Sequence, residues 1–168
     1  MQAHDPLLEL LGRLPALVRS AVEDLTPEQL TWAPAPGANP VGWLVWHLTR
    51  IQDHHVADVM GRPQLWSSGD WAGRFGLGTD PSDTGYGHSA QQVAAVRPES
   101  WQALVEYHDA VVQRTRTFVS GLPVGRFDEV VDRAWDPPVT LGVRLASVID
   151  DGLQHVGQAA YARGLLTR

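Results

Sequence analysis

The sequence predicts an all-α protein built as a four-helix bundle. Three observations lead there. Four long segments repeat apolar residues at spacings of three and four, strand-like alternation is scarce, and 168 residues suit one domain with a full-sized core. The apolar fraction of 43% is ordinary for a globular chain and argues against overall disorder. No internal repeat, low-complexity tract or second-domain boundary interrupts residues 1–168, which read as a single domain.

The first long helix is expected from about Asp5 to Asp24. Asp5 suits the cap and Pro6 the first helical position. Leu7, Leu10, Leu11, Leu14, Leu17, Val18, Ala21, Val22 and Leu25 form its apolar stripe. Pro15 falls inside it, where a proline kinks or splits a helix. Thr26, Pro27 and Gln29 read as a capped single turn, followed by a Pro-rich connector. The second long helix should take Asn39 as cap, Pro40 as first residue, and end near Gly61. From Arg62 to about Gly87 runs a Gly-, Trp- and Asp-rich loop, long enough to suggest function or mobility. Ser89 can cap a short helix to Val96. The third long helix runs from near Pro98 to Gly121. An irregular or extended connection follows, and Thr140 then caps a fourth helix reaching about Gly164.

Composition removes several chemistries. The formal charge of −6 disfavours nucleic acid or an anionic membrane surface as a partner. All thirteen basic residues are arginine, so lysine Schiff-base and lysine-base mechanisms are excluded. There is no cysteine, which excludes disulfides, protein thiolate nucleophiles and Cys-ligated metals. Any thiol chemistry must draw its sulfur from a bound small molecule. The N-terminal segment lacks a signal-peptide pattern, and no apolar run approaches roughly eighteen residues, so a cytoplasmic, non-membrane protein is expected. Neither a P-loop, a dinucleotide fingerprint nor a nucleophile elbow is present. The tryptophans read mostly as core, although Trp66 and Trp71 in the loop are also placed to cover an apolar ligand.

The stretch "WHLTRIQDHH" holds three of the seven histidines. At about 100° per residue they separate by face. His47 and His54 share an edge of the apolar stripe with Ile51 and Asp58, two turns or ~10 Å apart. His55 falls nearer the middle of the stripe and reads as packing or interface. On the fourth helix Asp151, His155 and Gln158 line one edge, and the four-residue spacing makes Asp151 and His155 neighbours. Such a pair can simply hydrogen-bond at the surface. It can also chelate one ion, with His47 as a third ligand from a facing helix. Two histidines and an aspartate with open positions suit zinc foremost, with Ni²⁺, Fe²⁺ or Mn²⁺ also compatible. His54 is open to readings as a solvated edge, a further ligand, or the catalytic proton carrier. Arg50 and Arg144 are candidate anion anchors for a polar cofactor, and Tyr86 and His88, in "TGYGH", candidate ligand contacts. His108 lies within the third helix's apolar stripe, as a core histidine or a pocket wall.

The segments "ANPVGWLVWHLTRIQDHHVADVMG" and "PPVTLGVRLASVIDDGLQHVGQAAYARGLL", with "GTDPSDTGYGHSAQQVAAVR" between them, resemble the DinB-like superfamily of metalloenzymes. They look closest to its actinobacterial branch, related to the N-terminal domain of mycothiol-dependent maleylpyruvate isomerase. The resemblance implies an up-down-down-up bundle, often a homodimer. It implies a divalent metal held by one histidine on the second helix, matching His47, and a His-x-x-x-His pair on the last. The second member of that pair matches His155, while the first position holds Asp151. It further implies S-transferase or isomerase activity with a low-molecular-weight thiol such as mycothiol, acting on a small electrophile. The competing reading is a non-catalytic dimeric module that binds a metal or small molecule in a stress response.

Overall fold

The computed structural model describes residues 4–166. Four long helices build it: α1 (Asp5–Val22), α3 (Val41–Met60), α7 (Trp101–Ser120) and α8 (Leu141–Leu166). Between them lie the single turns α2 (Pro27–Leu30), α4 (Leu65–Ser68) and α5 (Trp71–Arg74), and the short α6 (Ala90–Ala95). A 3₁₀ turn, Val124–Asp128, and a small antiparallel hairpin of β1 (Val130–Asp132) and β2 (Val139–Thr140) precede α8.

Local chemistry accounts for most boundaries. Thr26 and Gln29 form a reciprocal capping box on α2, and Ser89 and Gln92 do the same on α6. Ser100 accepts from the Ala103 N–H and caps α7, so that helix begins after Pro98 rather than at it. The Val143 N–H donates to Thr140 Oγ1, the expected cap on α8. α3 begins one residue later than the sequence suggested. Pro40, in extended backbone, is the capping residue, and the Asn39 side chain takes no part. At the other end Gly61 adopts φ 59°, the left-handed geometry that favours glycine as a helix stop. α1 runs through Pro15 without a break. The expected loop from Arg62 to Gly87 is partly ordered into α4 and α5, and the extended connection before α8 holds the hairpin.

Cross-helix contacts define the topology. Arg19 lies over the Trp101 ring while Gly12 faces Arg116, so α1 and α7 are antiparallel. Gly42 meets Pro98 and Gln52 donates to Thr115, so α3 and α7 run parallel. Trp43 stands edge-on to His155 and Arg144 reaches His55, so α3 and α8 are antiparallel. Leu14 touches Gly152 and Arg163 donates to the Glu23 carbonyl, so α1 and α8 run parallel. The arrangement is up-down-down-up, with each of α7 and α8 packed against both α1 and α3. Leu14, Val18, Trp46, Leu48, Leu104 and Leu145 are buried at its centre. Among the described residues no helix is long and apolar enough to cross a membrane.

Candidate metal centre

His47 lies in the second turn of α3, buried at 5% exposure. Its ring stacks on Trp43, one turn earlier, with centroids 4.6 Å apart and planes 14° from parallel. Its Nδ1–H donates to the Thr84 carbonyl at 2.6 Å. That hydrogen bond sets the tautomer and leaves the Nε2 lone pair free. The loop reaches this close because residue 85 is glycine. Gly85 has φ 91°, and a Cβ there would sit 2.7 Å from His47 Nδ1 and 2.9 Å from the Trp46 ring.

His155, half-buried on α8, is held in the same way. Its Nδ1–H donates to Gln158 Oε1 at 2.9 Å, one turn along. Its Nε2 then faces Asp151 Oδ1 at 3.4 Å. A neutral imidazole with its proton on Nδ1 aims a lone pair at this carboxylate, so the contact calls for a proton or a cation between the two atoms. Asp151 accordingly raises the His155 pKa above the ordinary histidine value. Burial has the opposite effect at His47 and holds its pKa below that value, which favours the neutral, ligating form.

The rings of His47 and His155 stand nearly perpendicular, 4.8 Å between centroids. One ligand atom from each of His47, Asp151 and His155 falls within 4.8 Å of the others. Ligand atoms about 2.0–2.2 Å from one ion span at most about 4.4 Å, so a small side-chain rotation closes the set. The other carboxylate oxygen, Asp151 Oδ2, is buried and has no hydrogen-bond partner. A buried carboxylate oxygen left unpaired is costly, and a cation relieves that cost. These three residues therefore fit a divalent ion.

The other candidate residues occupy different places. His54 does not join the group. Its Nδ1 accepts from Gln64 Nε2 at 3.0 Å, which leaves it bracing the loop. Arg50, expected as an anion anchor, is fully buried. It donates to the carbonyls of Pro81 and Asp83, to Gln64 Oε1 and to the Tyr107 hydroxyl, and lies over the Trp66 ring. Its donors hold the loop and are not offered to a ligand. His88 Nδ1 accepts from Trp43 Nε1 and its Nε2–H donates to Asp83, so it packs behind His47 and stacks on Trp46. Trp66 is core, packed against Tyr107 and Phe75, and does not cover a ligand site; Trp71 is half-buried against Tyr107. His108 is a fully buried core residue of α7, where burial lowers its pKa.

Two expected residues do meet beside the metal group. Arg144 and Tyr86 line one cavity with Asp151 and His55. Arg144 Nη1 donates to His55 Nδ1 at 3.3 Å, and its Nη2 donates to Asp132 at 2.7 Å. Burial, with Arg144 beside the ring, brings the His55 pKa down to about 4, so this imidazole is neutral near pH 7. Periodicity reads His55 as packing or interface; no local pattern shows that a residue from the last helix will meet it. Asp53 was also missed. It accepts from the N–H groups of Leu65 and Trp66 and from Tyr107, and so starts α4. Its three-residue spacing from Arg50 was the available signal.

A family model described as the DinB superfamily matches residues 10–159. Among solved structures the chain is similar to one described as a conserved protein from Enterococcus faecalis. The two are 31% identical over 98% of this chain and 97% of that one, with a TM-score of 0.90. No curated protein matches the chain.

Proposed function

The chain belongs to the DinB superfamily, and from that premise we propose that it is a divalent-metal-dependent S-transferase. It would use a low-molecular-weight thiol, of the mycothiol type, against a small electrophile. The observation that carries this reading is the convergence of His47, Asp151 and His155, with Asp151 Oδ2 buried and unpartnered.

These three side chains would hold the ion, with Zn²⁺ the first candidate for two nitrogens and one oxygen and Ni²⁺, Fe²⁺ or Mn²⁺ also suited. When bound, such an ion supplies positive charge that lowers the pKa of a thiol brought to it. The protein's own part is to orient and to shield. Thr84 and Gln158 lock the two imidazoles with Nε2 inward. Trp43 and the 84–88 segment cover His47 and keep water from its ring. The chain has no cysteine, so a sulfur nucleophile has to come from a cosubstrate.

Elemental analysis of the purified protein tests the first half. About one divalent ion per chain is expected, lost in His47→Ala and in Asp151→Ala. Wild-type protein that takes up neither Zn²⁺, Ni²⁺ nor Fe²⁺ sinks the reading. The second half is tested by conjugation of mycothiol to a chlorodinitrobenzene by metal-loaded protein. Metal-dependent turnover is expected. A loaded protein with no turnover favours the alternative of a non-catalytic metal-binding module.

A further inference from the structure

Two cavities lie along α8 to either side of the metal group. The helix rises about 1.5 Å per residue, so Arg144 and Tyr161 stand roughly 25 Å apart along its axis. The larger cavity, about 640 Å³, is lined by Leu44, Gln154, Gln158 and Tyr161 among others, and adjoins His155 through Gln158. The smaller, about 220 Å³, lies on the Asp151 side, between Ile51, His55, Tyr86, Arg144 and Val148. The two differ in character. Both are mainly apolar, but the larger carries no charged side chain and is open to a bulky molecule. The smaller carries a single cation among its lining residues, and its volume is below the roughly 300–1,000 Å³ of sites that enclose drug-sized ligands.

The cation in the smaller cavity is held ready. Asp132 takes one guanidinium N–H and neutral His55 takes another. A guanidinium has five N–H donors in a rigid fork, so further donors remain for a ligand. Because His55 Nδ1 accepts from Arg144, its own proton sits on Nε2, which adds a second donor. The charges then decide which ligand is favoured. Arg144 against Asp132 and Asp151 leaves the pocket one charge negative, and a divalent ion on Asp151 makes it one charge positive. Asp58 is exposed, and solvent screens it. The pocket therefore favours an anion when the metal site is filled.

We propose that this cavity is a subsite for a small carboxylate, whose anionic end pairs with the Arg144 guanidinium and whose other end lies against the Asp151 side of the metal group. The assignment rests on the metal reading above. It moves Arg144 from the thiol to the smaller cosubstrate, because a thiol the size of mycothiol does not fit into about 220 Å³. The larger cavity is left for the thiol.

Calorimetric titration of zinc-loaded protein with propionate, and with propionamide as its neutral counterpart, tests the subsite, with zinc content measured on every sample. Propionate is expected to bind and propionamide to bind at least roughly ten-fold more weakly, as for loss of a charge-assisted pair. Arg144→Gln should lose on the order of ten-fold in propionate affinity at wild-type zinc content. Arg144→Lys, which keeps the charge without the fork, should fall between. Ser147→Phe reaches the same end from an exposed position by filling the cavity, and serves if the arginine variants unfold. Propionate affinity unchanged in Arg144→Gln or in Ser147→Phe, or equal affinity for propionamide, overturns the subsite while leaving the metal reading standing. A wild-type protein that takes up no zinc overturns both.

Discussion

At the scale of single residues, the site depends on atoms that position the ligands as much as on the ligands. A partner on His47 Nδ1 fixes the ring and directs the Nε2 lone pair toward a metal, and the Thr84 carbonyl is that partner. That carbonyl arrives because Gly85 has no Cβ to strike the His47 and Trp46 rings. Gly85→Ala therefore strains a left-handed backbone and pushes Thr84 away. We expect zinc affinity to fall by about 10–100-fold, the usual range for losing such a supporting hydrogen bond, with His155 and Asp151 untouched. Competition against a chromogenic chelator measures this, and an affinity equal to wild type refutes the positioning role. His47 is legible as a candidate ligand from helical periodicity, and Asp151 with His155 as a candidate pair from their spacing. The clamp was not. A carbonyl 37 residues away leaves no mark on local pattern.

At the scale of elements, the segment after α3 is organised from α3 itself. Arg50 and Asp53 are buried three residues apart, their charged atoms 3.6 Å from each other. Arg50 grips the backbone at Pro81 and Asp83, and Asp53 starts α4. The expected long loop is thereby stapled to the bundle at both ends. Breaking a buried pair by removing one partner costs about 3–5 kcal/mol, since the other charge is left uncompensated. Asp53→Ala should lose stability in that range, read as a lower urea midpoint, and should loosen the segment that carries Thr84. A loss under about 1 kcal/mol, the size of a surface ion pair, shows that the pair does not hold the loop. Sequence reading offers Arg50 as a candidate anion anchor because an arginine on a helix face beside histidines looks the same whether solvent or a loop covers it.

At the scale of the whole molecule, the metal group joins α3 to α8, and α8 packs on α1 through Leu14 and Gly152. An ion that binds only the folded state therefore stabilises the bundle as a unit. At a free zinc concentration a hundred times its dissociation constant, the gain is about 2.7 kcal/mol. Zinc should raise the melting temperature of wild-type protein by several degrees, and His47→Ala should abolish the shift. An equal shift in both proteins places the zinc elsewhere. The Gly152 position was legible as a point of close approach, since a glycine inside a helix costs roughly 1 kcal/mol against alanine. Which partner approached it was not.

Legible in the sequence alone were the four long helices, the Thr140 cap on the last of them, the Thr26 and Ser89 caps on the short helices, and His47, Asp151 and His155 as a candidate donor set. Apolar spacing, capping residues and ligand spacing are properties of a few consecutive turns, so they are written locally. The rest came only with packing: the diagonal placement of α1 and α3, the closure of Thr84 on His47, the burial of Arg50, and the meeting of Arg144 with His55 beside Asp151. Each of these joins residues about 30 to 140 positions apart, through contacts that form only once the helices have packed. Helical period says which face a side chain takes, and packing alone says what that face meets.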